Sequence, residues 1–572
     1  MNRATVGCPE HVRRVRVLIA GGGPVGLALA VELGWRGVPC LLLEQGDGRI
    51  AYPTAESLNH RTMEHLRRWG IAARLREQGF PPDYPRVVRF VTRVVGYELA
   101  RFERPSNRAQ PAASAAISPE GALWCPKFWL DPVLRARASE FPTNEVRLGW
   151  RLERFWPDAA GVWAEAVEVA TGRQETIRAA YLVGCDGGGS LVRRALGVEY
   201  RGRFAEGYNL GVYFRAPTLL AATPLGPASQ YFVVNRDGRA IVAAVDGRER
   251  WRLTLKVAPG AAERVDVRQA LRQALGAELP LEILDVRPWA GHAVVAQRYR
   301  VGRVFLAGDA AHLNWPSGGF GMNTGIGDAV DLGWKLAAVC AGWGGDCLLD
   351  SYEAERRPVA ERNVNEASRH KASDLALPVP PELEEASGAG EQARRALGAT
   401  IARSRWKEWH TLGIQLGYRY DPSPLCLPDG TPPPSDDPSV YEPTARPGSR
   451  APHAWLPDGR STLDLFGHGF VLLRLGARPP DVAPLAAAAR AAGVPLTVVE
   501  LAQPAIVELY ARRLVLVRPD GHVAWRADEL PADPAALIDR VRGAAPAPIA
   551  ACSEEAPEPV VRQGPWRRPR AR

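Results

Sequence analysis

The apolar run Val15 to Ala20 passes directly into Gly21-Gly22-Gly23-Pro24-Val25-Gly26, and LALAVELGWRG follows with the pattern of a helix. Few folds accept glycines in that register. A strand that turns at once into a helix needs Gly21 for the tight turn and Gly26 for close helix packing. Gly23 leaves the backbone open to a pyrophosphate at the helix N-terminus. A second apolar run, Val38 to Leu43, ends on Glu44, 18 residues past Gly26. An acid at that place accepts hydrogen bonds from adenosine ribose hydroxyls. The unit predicts an α/β domain that binds a dinucleotide through Gly21, Gly23, Pro24, Val25, Gly26, Glu44 and the adjacent Gln45. By itself it does not separate FAD from NAD.

Two later stretches repeat the layout of strand, turn and helix. YLVGCDGGGSLVRRALG delivers Asp186-Gly187 to a tight turn, after which Ser190 or Arg193 opens a helix. RVFLAGDAAHLNWPSGGFGMNTGIGDAVDLGWKLAAVC ends a strand on Gly308-Asp309, continues through a glycine-rich loop and opens a helix near Asn323. Asn323 or Thr324 is the expected N-cap. Ile326, Val330, Gly333, Leu336, Ala337 and Cys340 recur at helical spacing and mark one inward face. Gly318, Gly319 and Gly321 let the backbone approach a flat ligand. The helix end behind them offers unpaired N–H groups and about half a positive charge. Such an end suits a ligand that becomes anionic, either a reduced flavin or a phosphate.

At 572 residues the chain has room for three domains of the usual ~100–200 residues. Its net charge of +9 comes mostly from arginines scattered along the chain, without a basic helix interleaved with aromatics, which argues against a nucleic-acid site. The 8 cysteines stand singly, with no CxxC pair. That argues against a zinc or dithiol centre and fits a reducing cytoplasm; no metal site is expected. The polar start MNRATVGCPEHVRR has no signal-peptide core, and no apolar run approaches the ~20 residues of a membrane span.

The three blocks GGGPVG with Glu44, GCDGGGSLVRRALG and GDAAHLNWPSGGFGMNTGIGDAVDLGWKLA, in this order, resemble those of the flavoprotein aromatic hydroxylases. These are single-component, FAD-dependent monooxygenases with the fold of para-hydroxybenzoate hydroxylase. The resemblance covers roughly residues 14 to 370, and SYEAERRPVAERN matches the helix that follows the third block. It implies a Rossmann-like FAD-binding domain (14–80, 120–200 and 290–372) with an interleaved antiparallel-sheet substrate domain (81–119 and 201–289). Gly21, Gly23, Gly26 and Glu44 would hold the ADP half of FAD, with Arg61 also a cofactor contact and Asp186 beside the pyrophosphate groove. Asp309 would bond a ribityl hydroxyl. Pro316 and the loop Ser317 to Asn323 would line the isoalloxazine, with the N–H groups of Gly321, Met322 and Asn323 near its C2 carbonyl and N1. Pro316 and Gly319 are then the loop residues nearest the chemistry, and no protein base is assigned. His312 is assigned a structural or cofactor-shell role. The chain departs from the family pattern at Thr54, where many relatives carry Arg, and at Lys127, where many carry Gln. Lys127 would then meet the FAD pyrophosphate as a point charge.

Hairpin signals at Asp237-Gly238 and Asp246-Gly247 predict an antiparallel sheet over Tyr208 to Val257. In the family such a sheet covers the active site, so Tyr213, Tyr231, Val233, Trp251 and Trp289 are the candidate substrate contacts. The implied activity is NAD(P)H- and O2-dependent hydroxylation of an electron-rich aromatic, a phenol or aromatic polyketide, through a flavin C4a-hydroperoxide. The absence of a second GxGxxG fits a family without a separate nicotinamide domain. The alternatives are Baeyer–Villiger oxygen insertion into a polyketide and a flavoprotein that only binds an aromatic ligand.

Residues 373–452, rich in Pro, Gly and acids, read as loops and linker around one helix, Glu391 to Gly413. Beyond them, the strands Phe470 to Leu475, Leu496 to Glu500 and Leu514 to Arg518 resemble the thioredoxin-like C-terminal domain of some phenol and polyketide hydroxylases. Here it spans 453–545 without CxxC and would serve packing or a homodimer contact. Residues 546–572 are expected to be a disordered tail. Because all three blocks precede Pro452, the cofactor site is expected to be independent of the residues beyond that proline.

Overall fold

A computed structural model describes residues 12–50, 52–109 and 111–544; the expected tail and Cys8 and Cys552 lie outside the described residues. The chain is a mixed α/β protein built on three main sheets. In the first, the strand Val12–Ala20 leads into helix α1 (Pro24–Trp35) and lies parallel to both Cys40–Glu44 and Gln174–Gly184. Gln174–Gly184 is in turn parallel to Val304–Leu306. The register sets Ala20 beside Leu43 and Gly184, and Gly184 beside Leu306. All three sequence blocks therefore leave the sheet at one edge, the carboxyl end of its strands, where ligands of open α/β sheets bind.

The second sheet is eight-stranded and mostly antiparallel, with Tyr200–Arg215 and Glu282–Ala296 as its long strands. One face packs on Phe80, Trp124 and the helix Val267–Leu275. On the other, Phe90, Phe102, Phe232 and Val234 pack against Leu397 and Ile401. The third sheet orders its four strands as Leu496–Leu501, Phe470–Leu475, Leu514–Val517 and Val523–Ala527. Only the first pair is parallel, with the helix Ala483–Ala491 between its strands in the chain. No helix among the described residues is long and apolar enough to cross a membrane.

One helix differs from expectation, and another carries a proline in its interior. Helix α2 (His60–Arg68) starts behind its N-cap Asn59, but α3 (Lys127–Glu140) starts at Lys127 and carries Pro132 in its interior. The missing N–H costs one helical bond, while Leu130, Val133, Leu134 and Ala138 bury the helix on its inner side. The expected helix Glu391 to Gly413 is three pieces: Gly388–Ser404, Trp406–Trp409 and Leu412–Gln415. The break falls at Arg405, 1% exposed, whose guanidinium bonds the carbonyl of His370 and pairs with Glu408. This stretch is no loose linker, since Leu397, Ile401, Ile414, Tyr418, Tyr420 and Leu425 are all buried.

The helix α4 (Gly321–Cys340) is enclosed on nearly every side rather than along one face, because its polar residues are buried in ion pairs. Lys335 reaches Asp331 at 2.7 Å and Glu355 at 2.6 Å, Glu355 belonging to α5 (Ser351–Leu375). Arg518, from the C-terminal part, closes the cluster on Glu355 at 2.6 Å, Asp331 at 3.2 Å and Asp520 at 2.7 Å. Nearby, Arg450 bonds Glu64 at 3.0 Å, and Arg61 donates to the Asp520 carbonyl at 2.6 Å. The C-terminal part is thus docked on α2, α4 and α5 by desolvated charge. Removing one partner of such a pair typically costs about 3–5 kcal/mol, and loss of the residues past Pro452 would take Arg518 away from Asp331 and Glu355.

Three carboxylates face two cations in this cluster, and the surplus falls on Asp331. Burial pushes its pKa up to about 8, with Glu355 and Asp520 adding to the rise against Lys335 and Arg518, while Glu355 is held down at about 2. A carboxyl whose folded pKa is raised contributes stability that is present at low pH and lost as pH climbs to the folded value. Asp331→Asn should therefore remove a decline in stability between about pH 4 and about pH 8. Urea unfolding of both proteins across that range checks this; a wild-type-minus-variant difference that stays constant with pH would refute it.

Candidate cofactor and substrate site

The glycine turn is built as its spacing requires. Gly21 has φ +106°, and a Cβ there would lie 2.4 Å from the Cys185 carbonyl oxygen; one at Gly26 would lie 2.0 Å from that of Gly21. A Cβ at Gly23 would meet nothing within 4 Å, so the open space of the turn is on that side. No side chain caps α1, whose first turn begins with Pro24 and Val25, and its N–H groups stay available to an anion. Glu44 accepts the Gly22 N–H at 2.7 Å and the Gly46 N–H at 2.8 Å, which fixes its carboxylate beside the turn; Gln45 next to it is exposed. Asp186 lies against Gly21, but its two oxygens accept from the Ser190 hydroxyl at 2.5 Å and the Val192 N–H at 3.1 Å. Its carboxylate serves to cap the short helix Leu191–Ala195.

Asp309 sits in the turn Gly308–Ala310, exposed on one side and enclosed by protein on the others. Burial pushes its pKa up, against the pull of His312 and Lys127. The turn is tied to α4 by Asp328, which accepts from the Gly308 N–H at 3.1 Å, His312 Nε2 at 2.9 Å and Arg356 Nε at 2.8 Å. Burial works against the Asp328 charge, but Arg356 and His312 hold its pKa below the ordinary value. His312, 1% exposed, is a buttress of the turn.

Past Pro316, which is exposed, the turn Ser317–Gly319 has two successive left-handed residues, Gly318 at φ +80° and Gly319 at +69°. Helix α4 then opens at Gly321, and its N-cap is Phe320, without a side-chain bond. Asn323 does not cap because both ends of its amide are occupied. Its oxygen accepts from the Asn59 N–H at 2.9 Å and the Thr62 hydroxyl at 2.7 Å, and its nitrogen donates to the carbonyls of Ser57 and Gly319. The first-turn N–H groups of Gly321, Met322 and Asn323 therefore have no side chain over them, as an anion-binding helix end requires.

Two proposed cofactor contacts are engaged elsewhere. Arg61 is buried between Glu64, at 2.9 Å, and the Asp520 carbonyl, so it faces the C-terminal part and not the glycine turn. Lys127 pairs with Asp131 at 2.5 Å one helical turn on, though its charge also reaches Asp309. Its backbone N–H donates to the carbonyl of Thr54, so the two departures from the family pattern are neighbours.

The substrate candidates divide by strand alternation. Tyr231, Val233 and Trp251 lie in the core against Trp124 and Val267–Leu275, with Tyr231 and Trp251 at 0% exposure. Tyr213, opposite Arg252, and Trp289, opposite Asn209, occupy the other face, which meets the Pro316 loop. There Trp289 packs edge-on to Trp315 at 5.9 Å. Trp315 in turn rests on Gly207 and Gly291; a Cβ at Gly291 would stand 1.5 Å from its ring.

The uncapped helix ends, the open glycine turn and the Asp309 carboxyl at the same edge of the sheet together fit FAD. The family model for the FAD binding domain matches residues 14–367, and that for the C-terminal domain of aromatic-ring hydroxylases matches residues 444–545. The chain belongs to the FAD-dependent aromatic-ring hydroxylases. It is 35% identical over 563 residues to a putative polyketide hydroxylase of Streptomyces halstedii, covering 92% of this chain and 96% of the relative. It is likewise 35% identical over 562 residues to the tetracenomycin B2 monooxygenase-dioxygenase of Streptomyces olivaceus, covering 92% and 98%. Among solved structures it is similar to chromopyrrolic acid-soaked RebC with bound 7-carboxy-K252c, at 41% identity and TM-score 0.88 over 94% of this chain and 100% of that one. A ternary complex of aklavinone-11 hydroxylase with FAD and aklavinone matches at 32% identity and TM-score 0.78, covering 93% and 100%.

Three residues of this hydroxylase escaped the sequence reading: Asp328, Arg356 and Glu408. Glu408 accepts the N–H of Gly318 and pairs with Arg405. Burial pushes its pKa up, against Arg405. Asp328 carried little signal, being one of three charged residues of α4 and lying two positions from Ile326 and from Val330, off their face of the helix. Glu408 lies inside the expected helix Glu391 to Gly413, where no pattern singled it out.

Two variants probe the site. Asp309→Ala should weaken FAD binding by about 1.5–3 kcal/mol, the worth of a charge-assisted hydrogen bond, read from flavin release on titration. Gly319→Val forces a β-branched residue to φ +69°, with its Cβ 3.4 Å from that of Ser57. It should lose turnover while keeping most of its thermal stability; normal turnover would show that the loop is not at the flavin.

Proposed function

We propose that this enzyme is an NAD(P)H- and O2-dependent monooxygenase that hydroxylates an electron-rich polycyclic aromatic of the polyketide type. One observation carries the reading: the left-handed Gly318-Gly319 turn and the uncapped end of α4 follow directly on Trp315, which packs on the sheet face at Trp289, Gly207 and Gly291. FAD, when bound, supplies electron transfer from NAD(P)H and activation of oxygen. The chain's part is to bind, orient and keep water out. The N–H groups of Gly321, Met322 and Asn323 would favour negative charge on the bound ring system, and Asp309 would hold the ribityl chain. The relatives' printed substrates, tetracenomycins and aklavinone, support the ring type.

The buried donors of the same face support an oxygen-rich substrate. Asn209 Nδ2, Trp315 Nε1 and the Tyr52 hydroxyl are buried without a hydrogen-bond partner. Buried donors rarely stay unpaired, and carbonyl or phenolic oxygens would complete them. The proposal includes a substrate domain interleaved with the FAD-binding domain and a thioredoxin-like fold for 453–545. The parallel pair with its helix, followed by an antiparallel hairpin, supports the latter. Without CxxC this module serves packing, as its buried ion pairs suggest, and a homodimer contact is part of the same proposal.

The test is NAD(P)H oxidation by the FAD-loaded enzyme across phenols and aromatic polyketides, with mass spectrometry and NMR of the products. Substrate-stimulated oxidation with one oxygen attached to a ring carbon is expected. Oxygen inserted beside a carbonyl would replace hydroxylation with Baeyer–Villiger chemistry, and no stimulation by any aromatic would overturn the reading.

A further inference from the structure

Arg86 is the buried cation that the enzyme leaves unanswered. It is 2% exposed, on the segment leading into the strand Val88–Val91, and its Nη1 donates to the Ala122 carbonyl at 2.6 Å. Its Nε and Nη2, the two nitrogens along one edge of the guanidinium, have no hydrogen-bond partner among the described residues. Every other buried arginine among the described residues meets a carboxylate or, at Arg193, lies 3.7 Å over the Tyr200 ring.

Its surroundings add positive charge. Arg76 donates to the carbonyl of Gly121 at 3.1 Å, the residue before Ala122, so two guanidinium groups hang on consecutive carbonyls. Arg76 also donates to the Asn107 carbonyl at 3.1 Å, which brings in the segment carrying Arg104. Burial pushes the Arg86 pKa well down, and Arg104 and Arg76 push it the same way with no carboxylate opposing. The nearby acid, Glu120, is already shared between Arg76 at 2.7 Å and Arg67 at 3.3 Å. A guanidinium does not shed its proton in a protein, and an uncompensated buried charge is strongly unfavourable. A water could satisfy the two N–H groups but not the charge.

We propose that Arg86, with Arg76 and Arg104 around it, binds a small monovalent inorganic anion. The free edge of the guanidinium presents two parallel donors to one acceptor, and a single negative charge answers the one that Arg86 carries.

The probe is chloride against gluconate at equal ionic strength, on the holoenzyme. Chloride should raise the apparent folding equilibrium constant in a saturable way, about tenfold when it stands at about ten times its dissociation constant. Arg86→Met should abolish that dependence without loss of stability in gluconate, since an apolar replacement of an uncompensated buried charge is neutral or stabilising. The 35Cl NMR line should be broadened by the wild type more than by the variant. If Arg86→Met does not fold, Arg104→Gln serves, and should weaken the chloride effect. Equal stability of the wild type in the two salts, or an undiminished chloride effect in the variant that folds, overturns the proposal.

Discussion

The parallel register that sets Ala20, Gly184 and Leu306 side by side is the constraint on which the rest of the molecule depends. Three loops far apart in the chain leave the sheet at the same level because their strands do. Each turn then needs glycine, since it must pass a neighbour's backbone at close range. Asp328 converts this convergence into a fixed shape. One carboxylate gathers the backbone of Gly308, the ring of His312 and the guanidinium of Arg356, so that α4 cannot move relative to the Asp309 turn without breaking buried charge-assisted bonds.

The residues legible in the sequence were those that a backbone requirement dictates. Gly21, Gly26, Gly318 and Gly319 could be assigned because no other residue tolerates those φ values or approaches. Glu44 followed from the same geometry. The residues that were not legible depend on partners distant in the chain. Asn323 looks like an N-cap by position, yet partners at Ser57, Asn59 and Thr62 claim its amide. Tyr231, Val233 and Trp251 were candidates because they lie in the predicted sheet, and the sequence did not show that their face turns to the core. Arg61 offered a plausible cation near the glycine turn, and the fold commits it to Asp520 instead.

The C-terminal part teaches the same lesson through electrostatics. The Pro-rich segment before the third sheet reads as a tether, and nothing in the sequence pairs the charges of α4 and α5 with residues beyond it. In the structure Asp331, Lys335 and Glu355 await Arg518, and Glu64 awaits Arg450. The halves of these clusters are useless alone, and composition cannot reveal a charge whose partner arrives 163 or 386 residues later. The helical segment Trp406–Trp409 shows the chemical use of such packing, since it delivers Glu408 to the backbone of the Pro316 loop.

The seat of Trp315 on Gly207 and Gly291 has a consequence for how this enzyme could change. The indole lies directly before Pro316 in the chain, so the height at which it rests on the sheet is also the height at which the loop begins. Two hydrogen atoms, one on each of two neighbouring strands, act as the spacer. A single methyl group at position 291 would lift the ring and with it the start of the loop, altering the width of the chamber without placing any new atom inside it. The dimensions of the site are thus adjustable from behind its wall, at sheet positions that no inspection of ligand contacts would single out.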